Sequence, residues 1–217
     1  FYGPTTIYNK ENTLFGNYGW YNTETELAYL DRRATLKNKE QTMTADTMYY
    51  NKKTGYAKAL SDVILEDTTY KAVVRGEFAE MWRNEGKCMM TDNLRGFYYK
   101  ENDTLFAKAD SMYVFFDTVT NEVHDIKAFY KVRFFRNDIQ GKCDSLHYNV
   151  ADSMVYMRVA PVIWAEDSQL TGDSINIKVK EEAIDNMLMY PNAFVIQQDS
   201  IKGFNQVKGK QITVYFN

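Results

Sequence analysis

The residues able to do chemistry in this 217-residue chain are few: two histidines, His124 and His147, and two cysteines, Cys88 and Cys143, stand among abundant carboxylates. The tightest grouping is Asp144, Ser145 and His147, the residue types of an orienting acid, a nucleophile and its base. On a strand, Ser145 and His147 share one face while Asp144 points to the other, which is not the geometry of that relay. The three read as surface residues of a strand. Neither histidine has a second His or Cys at ligand spacing, which argues against zinc or another transition metal. No Gly-rich phosphate loop, HExxH or GxSxG occurs. Nothing in the spacing of the carboxylates singles out a pair for glycoside cleavage. Two cysteines are too few for a disulfide scaffold, and Cys143, standing in a column of small residues, reads as a buried structural thiol. The expectation is a protein that is not an enzyme, with no catalytic residue, no metal and no cofactor.

The elements that would carry these residues are strands. Tyr (17), Phe (13) and Trp (3) make up 15% of the chain while Pro numbers 3, a bias toward side chains that pack on a pleated surface. Segments such as Met48-Tyr49-Tyr50-Asn51, Met112-Tyr113-Val114-Phe115-Phe116 and Ile175-Asn176-Ile177-Lys178-Val179 fit strands. Glu181 to Met189 is the one segment with helical character, and it is short, poorly capped and runs into Tyr190-Pro191. A hydrophobic share of 45% with 25% charged residues excludes wholesale disorder. The net charge of −3, from 26 Lys+Arg against 29 Asp+Glu, supplies no broad cationic field, so no nucleic acid partner is expected. No run approaches the roughly 18 apolar residues of a helical membrane span. The chain starts at Phe1 without Met, so a segment upstream of residue 1 is expected.

A pattern recurs along the chain: a small residue, an acid, a polar or small residue, then alternating apolar positions. It stands at Ala45-Asp46-Thr47-Met48-Tyr49-Tyr50, more loosely at Gly76-Glu77-Phe78-Ala79-Glu80-Met81, then at Ala109-Asp110-Ser111-Met112-Tyr113-Val114, Cys143-Asp144-Ser145-Leu146-His147-Tyr148 and Gly172-Asp173-Ser174-Ile175-Asn176-Ile177. Gly209-Lys210-Gln211-Ile212-Thr213-Val214 is a degenerate last copy. Units of about thirty residues with no linker predict one domain over residues 1–217, all-β and built of stacked repeats. The columns two and four places after the acid become two inward apolar stripes, since residues two apart share a strand face. The column between them (Thr47, Ser111, Ser145, Ser174, Gln211) faces water. The small residue predicts a tight corner, with the acid accepting from nearby backbone N–H groups. A calcium ladder would need a denser repeat with more glycine.

The elements Gly3-Pro4-Thr5-Thr6-Ile7, Gly19-Trp20-Tyr21-Asn22-Thr23, Ala45-Asp46-Thr47-Met48-Tyr49-Tyr50 and Ser168-Gln169-Leu170-Thr171-Gly172-Asp173-Ser174-Ile175 resemble the OstA-like family. That family includes the lipopolysaccharide-transport protein LptA and the N-terminal periplasmic domain of LptD. The resemblance implies an open, twisted β-jellyroll, solenoid-like in its stacking, with an apolar trough for lipid A acyl chains. It further implies a periplasmic location, outer-membrane association in an LptD-like case, and end-to-end strand addition to other lipopolysaccharide-transport proteins or to further copies of itself. On this reading Met48, Tyr50, Met112, Val114, Leu146, Tyr148, Ile175 and Ile177 line the trough and bind the ligand. Two other readings stand beside it: a packed β-solenoid scaffold that binds proteins through its end strands, and a carbohydrate-active β-helix.

Overall fold

Period-two alternation makes strands, and in the computed structural model it does so along the whole described chain, residues 1–8, 10, 12–100, 103–181, 183–199 and 203–216. Among these residues there are nineteen strands and one 3₁₀ turn, Arg83–Glu85. Contacts gather the chain into two compact units, Phe1–Leu105 with Ser111–Glu122, and Phe106–Asp110 with Val123–Asn217. The first unit holds β1 (Thr5–Tyr8), β2 (Thr13–Gly16), β3 (Tyr18–Asn22), β4 (Leu27–Lys37), β5 (Gln41–Asn51), β6 (Tyr56–Asp67), β7 (Ala72–Trp82) and β8 (Lys87–Lys100). Next comes β9 (Asp103–Phe116), whose stretch Phe106–Asp110 belongs to the second unit. The second unit continues with β10 (Val123–Arg136), β11 (Ile139–Asn149), β12 (Met154–Arg158), β13 (Val162–Ala165), β14 (Ser168–Thr171) and β15 (Ser174–Lys180). It ends with β16 (Ala183–Tyr190), β17 (Ala193–Asp199), β18 (Gly203–Gly209) and β19 (Ile212–Tyr215). The segment with helical character is thus strand β16, and Glu182 lies outside the described residues. Its Met187 and Met189 alternate inward, and strand pairing on both sides overrides a weak helical preference.

Each thirty-residue repeat is a pair of antiparallel strands. In the first unit β4 pairs with β5, β5 with β6, β6 with β7 and β7 with β8. In the second, β10 pairs with β11, which pairs with both β12 and β13. Beyond that point the chain alternates between two runs, β12–β15–β16–β19 and β13–β14–β17–β18. The pairing is open. Among the described residues β18 pairs only with β17, and β19 only with β16.

At Ala45-Asp46, Gly76-Glu77 and Cys143-Asp144 the repeated small-acid motif forms no tight turn but sits inside long strands, at a bulge that bends them, whereas Gly172-Asp173 lies between β14 and β15 and Lys210 between β18 and β19. Asp31 pairs with Thr47 and Ala34 with Ala45, so Arg32 and Arg33 on β4 oppose the single Asp46 on β5. The same two-to-one step sets Ser61 and Asp62 against Glu77, and Tyr130 and Lys131 against Asp144. The paired residues are left-handed, with φ of 60° and 71° at Arg32 and Arg33, 62° and 49° at Ser61 and Asp62, and 62° and 54° at Tyr130 and Lys131. Such a bulge kinks both strands and increases their twist, and its recurrence at matching places gives each unit a common bend line.

The expected bonding of the acids is corrected by this geometry. Asp46 lies 4.0 Å from the Arg33 guanidinium and Asp110 3.8 Å from the Lys131 ammonium, so both answer cations of the neighbouring bulge rather than their own backbone. Asp173 accepts from the Asn192 amide at 2.8 Å. Among the described residues, Glu77 is the one of these acids that accepts a backbone N–H, that of Asp62 at 3.2 Å.

The cores follow the same logic. In the first unit Leu30, Ala34, Ala45, Met48, Ala59 and Val63 have no exposed surface; in the second Met157, Ile163, Ile175, Met187, Met189 and Ala193 have none. Small side chains sit beside the bends and methionines fill the irregular spaces next to them.

Candidate functional site

The two predicted stripes lie on the core-facing side of their strands in both units. In the first unit, Leu30 pairs with Met48 and Met48 with Ala59, all without exposed surface, while Ala28 pairs with Tyr50. Met112 and Val114 continue the two columns on β9, where both are half-buried. In the second unit, Leu146 pairs with Ala128 and Met157, and Tyr148 with Ile126 and Val155. One more strand along, Met157 pairs with Ile175 and Val155 with Ile177. Ile175 is 0% and Ile177 4% exposed, whereas Leu146 and Tyr148 are half-buried.

The eight candidate residues therefore divide by environment. Met48, Ile175 and Ile177 are closed in by protein atoms and act as packing. Tyr50, Met112, Val114, Leu146 and Tyr148 keep part of their apolar surface open within their own units. The polar column between the stripes faces the other way, with Ser111, Ser145 and Ser174 half-buried on the outer side. The inner face carries almost no ionisable chemistry. Its thiols are driven neutral: burial pushes Cys88 up to about 11 and Cys143 up to about 12, with the Asp144 charge adding to the latter. Both cysteines are free thiols. Such a surface offers apolar groups dispersion contact and relief from water.

The outer face of the second unit holds the polar cluster that reading along the chain missed. His147 bonds through Nε2 to Asp125, and His124 through Nδ1 to the other oxygen of Asp125 at 2.9 Å. These contacts, His147 foremost, hold the Asp125 carboxyl below its ordinary range. Ser145 and His147 share this face, as their alternation predicts, but no hydrogen bond joins them, and the acid that partners the imidazole is Asp125 rather than Asp144. Residues 125 and 147 are adjacent only because β10 and β11 pair in that register, which sets Lys127 across from His147. The only signal within a single strand is the alternation of Asp125, Lys127 and Phe129 on one side of β10.

Residues 1–46 match the family model of the OstA-like protein family, a stretch ending at Asp46 in the first complete copy of the repeat motif. No curated protein sequence matches the chain. Among solved structures, similarity is found to LptH, described as the LptA homologous periplasmic component of the conserved lipopolysaccharide transport device from Pseudomonas aeruginosa. The TM-score is 0.48 at 9% identity, covering 65% of this chain and 97% of that chain.

Proposed function

We propose that this chain is a non-enzymatic periplasmic carrier that takes the acyl chains of lipopolysaccharide against its inner face on their way to the outer membrane. The observation that carries this reading is the partial opening of the apolar columns at Tyr50, Met112, Val114, Leu146 and Tyr148, beside neighbours that are fully packed. The OstA-like pattern over residues 1–46 supports it. On this proposal the eight column residues form the lining, with Met48, Ile175 and Ile177 as its rigid floor, and residues 1–217 act as one repeat domain. Each methylene removed from water contributes about 0.8 kcal/mol, so ten would contribute about 8 kcal/mol before ordering costs. That corresponds to roughly micromolar binding, a strength suited to a cargo that is passed on.

The proposal also gives the end strands a task. β18 is exposed along most of its length and pairs on one side, and Phe204 and Val207 on it are open to solvent. An edge of this kind accepts a further strand. It is the proposed place for other lipopolysaccharide-transport proteins, or a second copy, to add end to end.

Photo-crosslinking in cells tests the carrier reading. Probes at Met112 and Leu146 are expected to give lipopolysaccharide adducts, and probes at Ser111 and Ser145 none. Adducts confined to the serines overturn it. A second reading, a packed scaffold binding proteins through its ends, is favoured by the complete burial of Met48 and Ile175. It predicts no lipid adduct at any of the four positions and protein adducts at β18.

A further inference from the structure

Part of the second unit presents a sheet face that carries cations and open rings but no carboxylate. It is the outer side of the run β13–β14–β17–β18, with the stretches of β9, β10 and β11 that lead into it. Ile139, Ile163 and Leu170, all buried, point to the opposite side. Two rows of side chains cross this outer face. In one, Phe135 pairs with Gln140 and Gln140 with Trp164; in the other, Arg133 pairs with Lys142 and Lys142 with Val162. Strand β9, which pairs with β10, extends both rows. Phe106 lies 6.3 Å from Phe135, ring centroid to centroid, and Asp110 lies 3.8 Å from the Lys131 ammonium, so Lys108, midway along β9 between them, stands beside Arg133. Toward β18 the first row continues as Gln169, Ile196 and Gln206, and the second as Thr171, Phe194 and Lys208.

The chain as a whole has a net charge of −3, so a face without acids reflects segregation rather than a basic composition. The acids of the same strands stand at its margins. Asp110 meets Lys131 and Asp144 lies opposite the bulge, along the bend. Asp138 is bound by Arg136 in the turn before β11, and Glu166 and Asp167 occupy the turn between β13 and β14.

Lys108, Arg133 and Lys142 are exposed, and none of the three forms an ion pair among the described residues. The Lys142 ammonium lies 5.6 Å from the Trp164 ring centroid, a contact that orients the charge without cancelling it. Like charges directly opposite on paired strands are destabilising. Arg133 facing Lys142, with Lys108 alongside, is such an arrangement, and a layer of negative charge laid over it turns the repulsion into attraction.

The rings beside these cations are open. Phe106 is 44%, Phe135 43% and Trp164 37% exposed, and Trp164 is held in place by its indole N–H, which donates to Gln169 Oε1 at 2.9 Å. Exposed rings interleaved with Lys and Arg match the boundary between a bilayer and water, where rings settle among the headgroups and long basic stems carry their charge to the phosphates. The face crosses seven neighbouring strands, about 30 Å, which is the extent of a surface rather than of a small ligand.

We propose that this face rests on the surface of an anionic phospholipid bilayer, with Lys108, Arg133 and Lys142 at the lipid phosphates and Phe106, Phe135 and Trp164 between the headgroups. None of these residues belongs to the inner columns. An absence of lipid adducts at Met112 and Leu146 leaves the proposal untouched.

Flotation of the purified chain with lipid vesicles is the test. Vesicles of phosphatidylglycerol and phosphatidylcholine in equal parts are expected to carry the protein, less so as salt is raised, and vesicles of phosphatidylcholine alone are expected to leave it behind. The triple variant K108Q/R133Q/K142Q is expected to bind about a hundredfold more weakly, from about fivefold per charge. The variant K37Q/K39Q/K71Q removes three exposed lysines of the first unit, changes the net charge equally and is expected to bind like the parent. All six positions are exposed, so both variants are expected to keep the fold. Phe135→Gln leaves the charge unchanged and gives a second reading, about tenfold weaker binding. Uptake of lipid by the inner columns would be indifferent to headgroup charge and to these residues. The proposal is overturned if neither vesicle binds, if the two vesicles bind alike, or if the two triple variants bind alike.

Discussion

Ala34 and Ala45 lie directly opposite each other where β4 and β5 bend, and neither exposes any surface. The pair closes the bulge from inside while Arg32, Arg33 and Asp46 occupy its outside. At the next bulge Val63 faces Gly76, where an added Cβ would stand 2.8 Å from both Met90 Cγ and the Thr91 carbonyl oxygen. The small-residue column is therefore a steric requirement of the bend. Ala45→Val is expected to destabilise the fold by about 1–3 kcal/mol through overpacking. Asp46→Asn beside it, with its exposed 4.0 Å ion pair, should cost less than about 1 kcal/mol. Urea unfolding of the two variants measures both.

Val159 adopts φ of 63° and Ala160 51°, in the bulge that separates β12 from β13. A β-branched residue in the left-handed region is strained, and Val159 recovers little by burial because it is 62% exposed. Val159→Asn is expected to stabilise the protein by about 1 kcal/mol, since Asn tolerates this conformation. A rise in the urea midpoint with an unchanged slope would register it; a fall would mean that Val159 contributes packing that outweighs its strain.

Met48 and Met112 occupy the same column of the repeat in different surroundings, Met48 with no exposed surface and Met112 half-buried. Met48→Ala is expected to cost about 2–5 kcal/mol, and Met112→Ala about half as much or less. The order reverses for lipid labelling of the folded proteins, where Met112→Ala gives the larger loss. Equal destabilisation with no effect on labelling would place Met112 in the packed core.

Asp125 is held below its ordinary 3.8 mainly by the bond to His147 and secondarily by that to His124. A carboxyl whose folded value is depressed contributes stability that is present above its unfolded value and lost as pH falls through the folded one. Parent and Asp125→Asn should therefore differ by about 1 kcal/mol at pH 5, and converge as the carboxyl is protonated in acid. Denaturant midpoints across that range check the sign. A gap that widens in acid would contradict it.

Burial raises the Cys88 thiol to about 11 and the Cys143 thiol to about 12, which suppresses the reactive thiolate. At pH 8 both should react with iodoacetamide at least about a hundredfold more slowly in the native protein than in denaturant. Fast native labelling at Cys143 would show that β11 opens locally.

Much of this architecture could be read from the residues in order. Alternation along Ile175-Asn176-Ile177 and Met112-Tyr113-Val114 marks strands, and the return of Asp46, Asp110, Asp144 and Asp173 behind a small residue marks the repeat. The bulge in the second half of each repeat has no residue signature because its mark is conformational. The left-handed pairs Arg32-Arg33, Ser61-Asp62, Asp92-Asn93, Tyr130-Lys131 and Val159-Ala160 share a backbone geometry and no residue type. The acids were legible as a column, but not their partners, since Arg33 meets Asp46 only after β4 and β5 have paired.

Composition and periodicity by themselves determined an all-β chain of stacked units with two inward apolar columns, because burying one face of a strand fixes every second residue. Tertiary structure decided which members of those columns are sealed and which stay open, as with Ile175 against Leu146. It also brought Asp125, Lys127, His147 and Arg158 to one outer surface. Both outcomes depend on strand register, and register arises from the bulges and from how neighbouring strands settle against one another, neither of which has a residue code of its own.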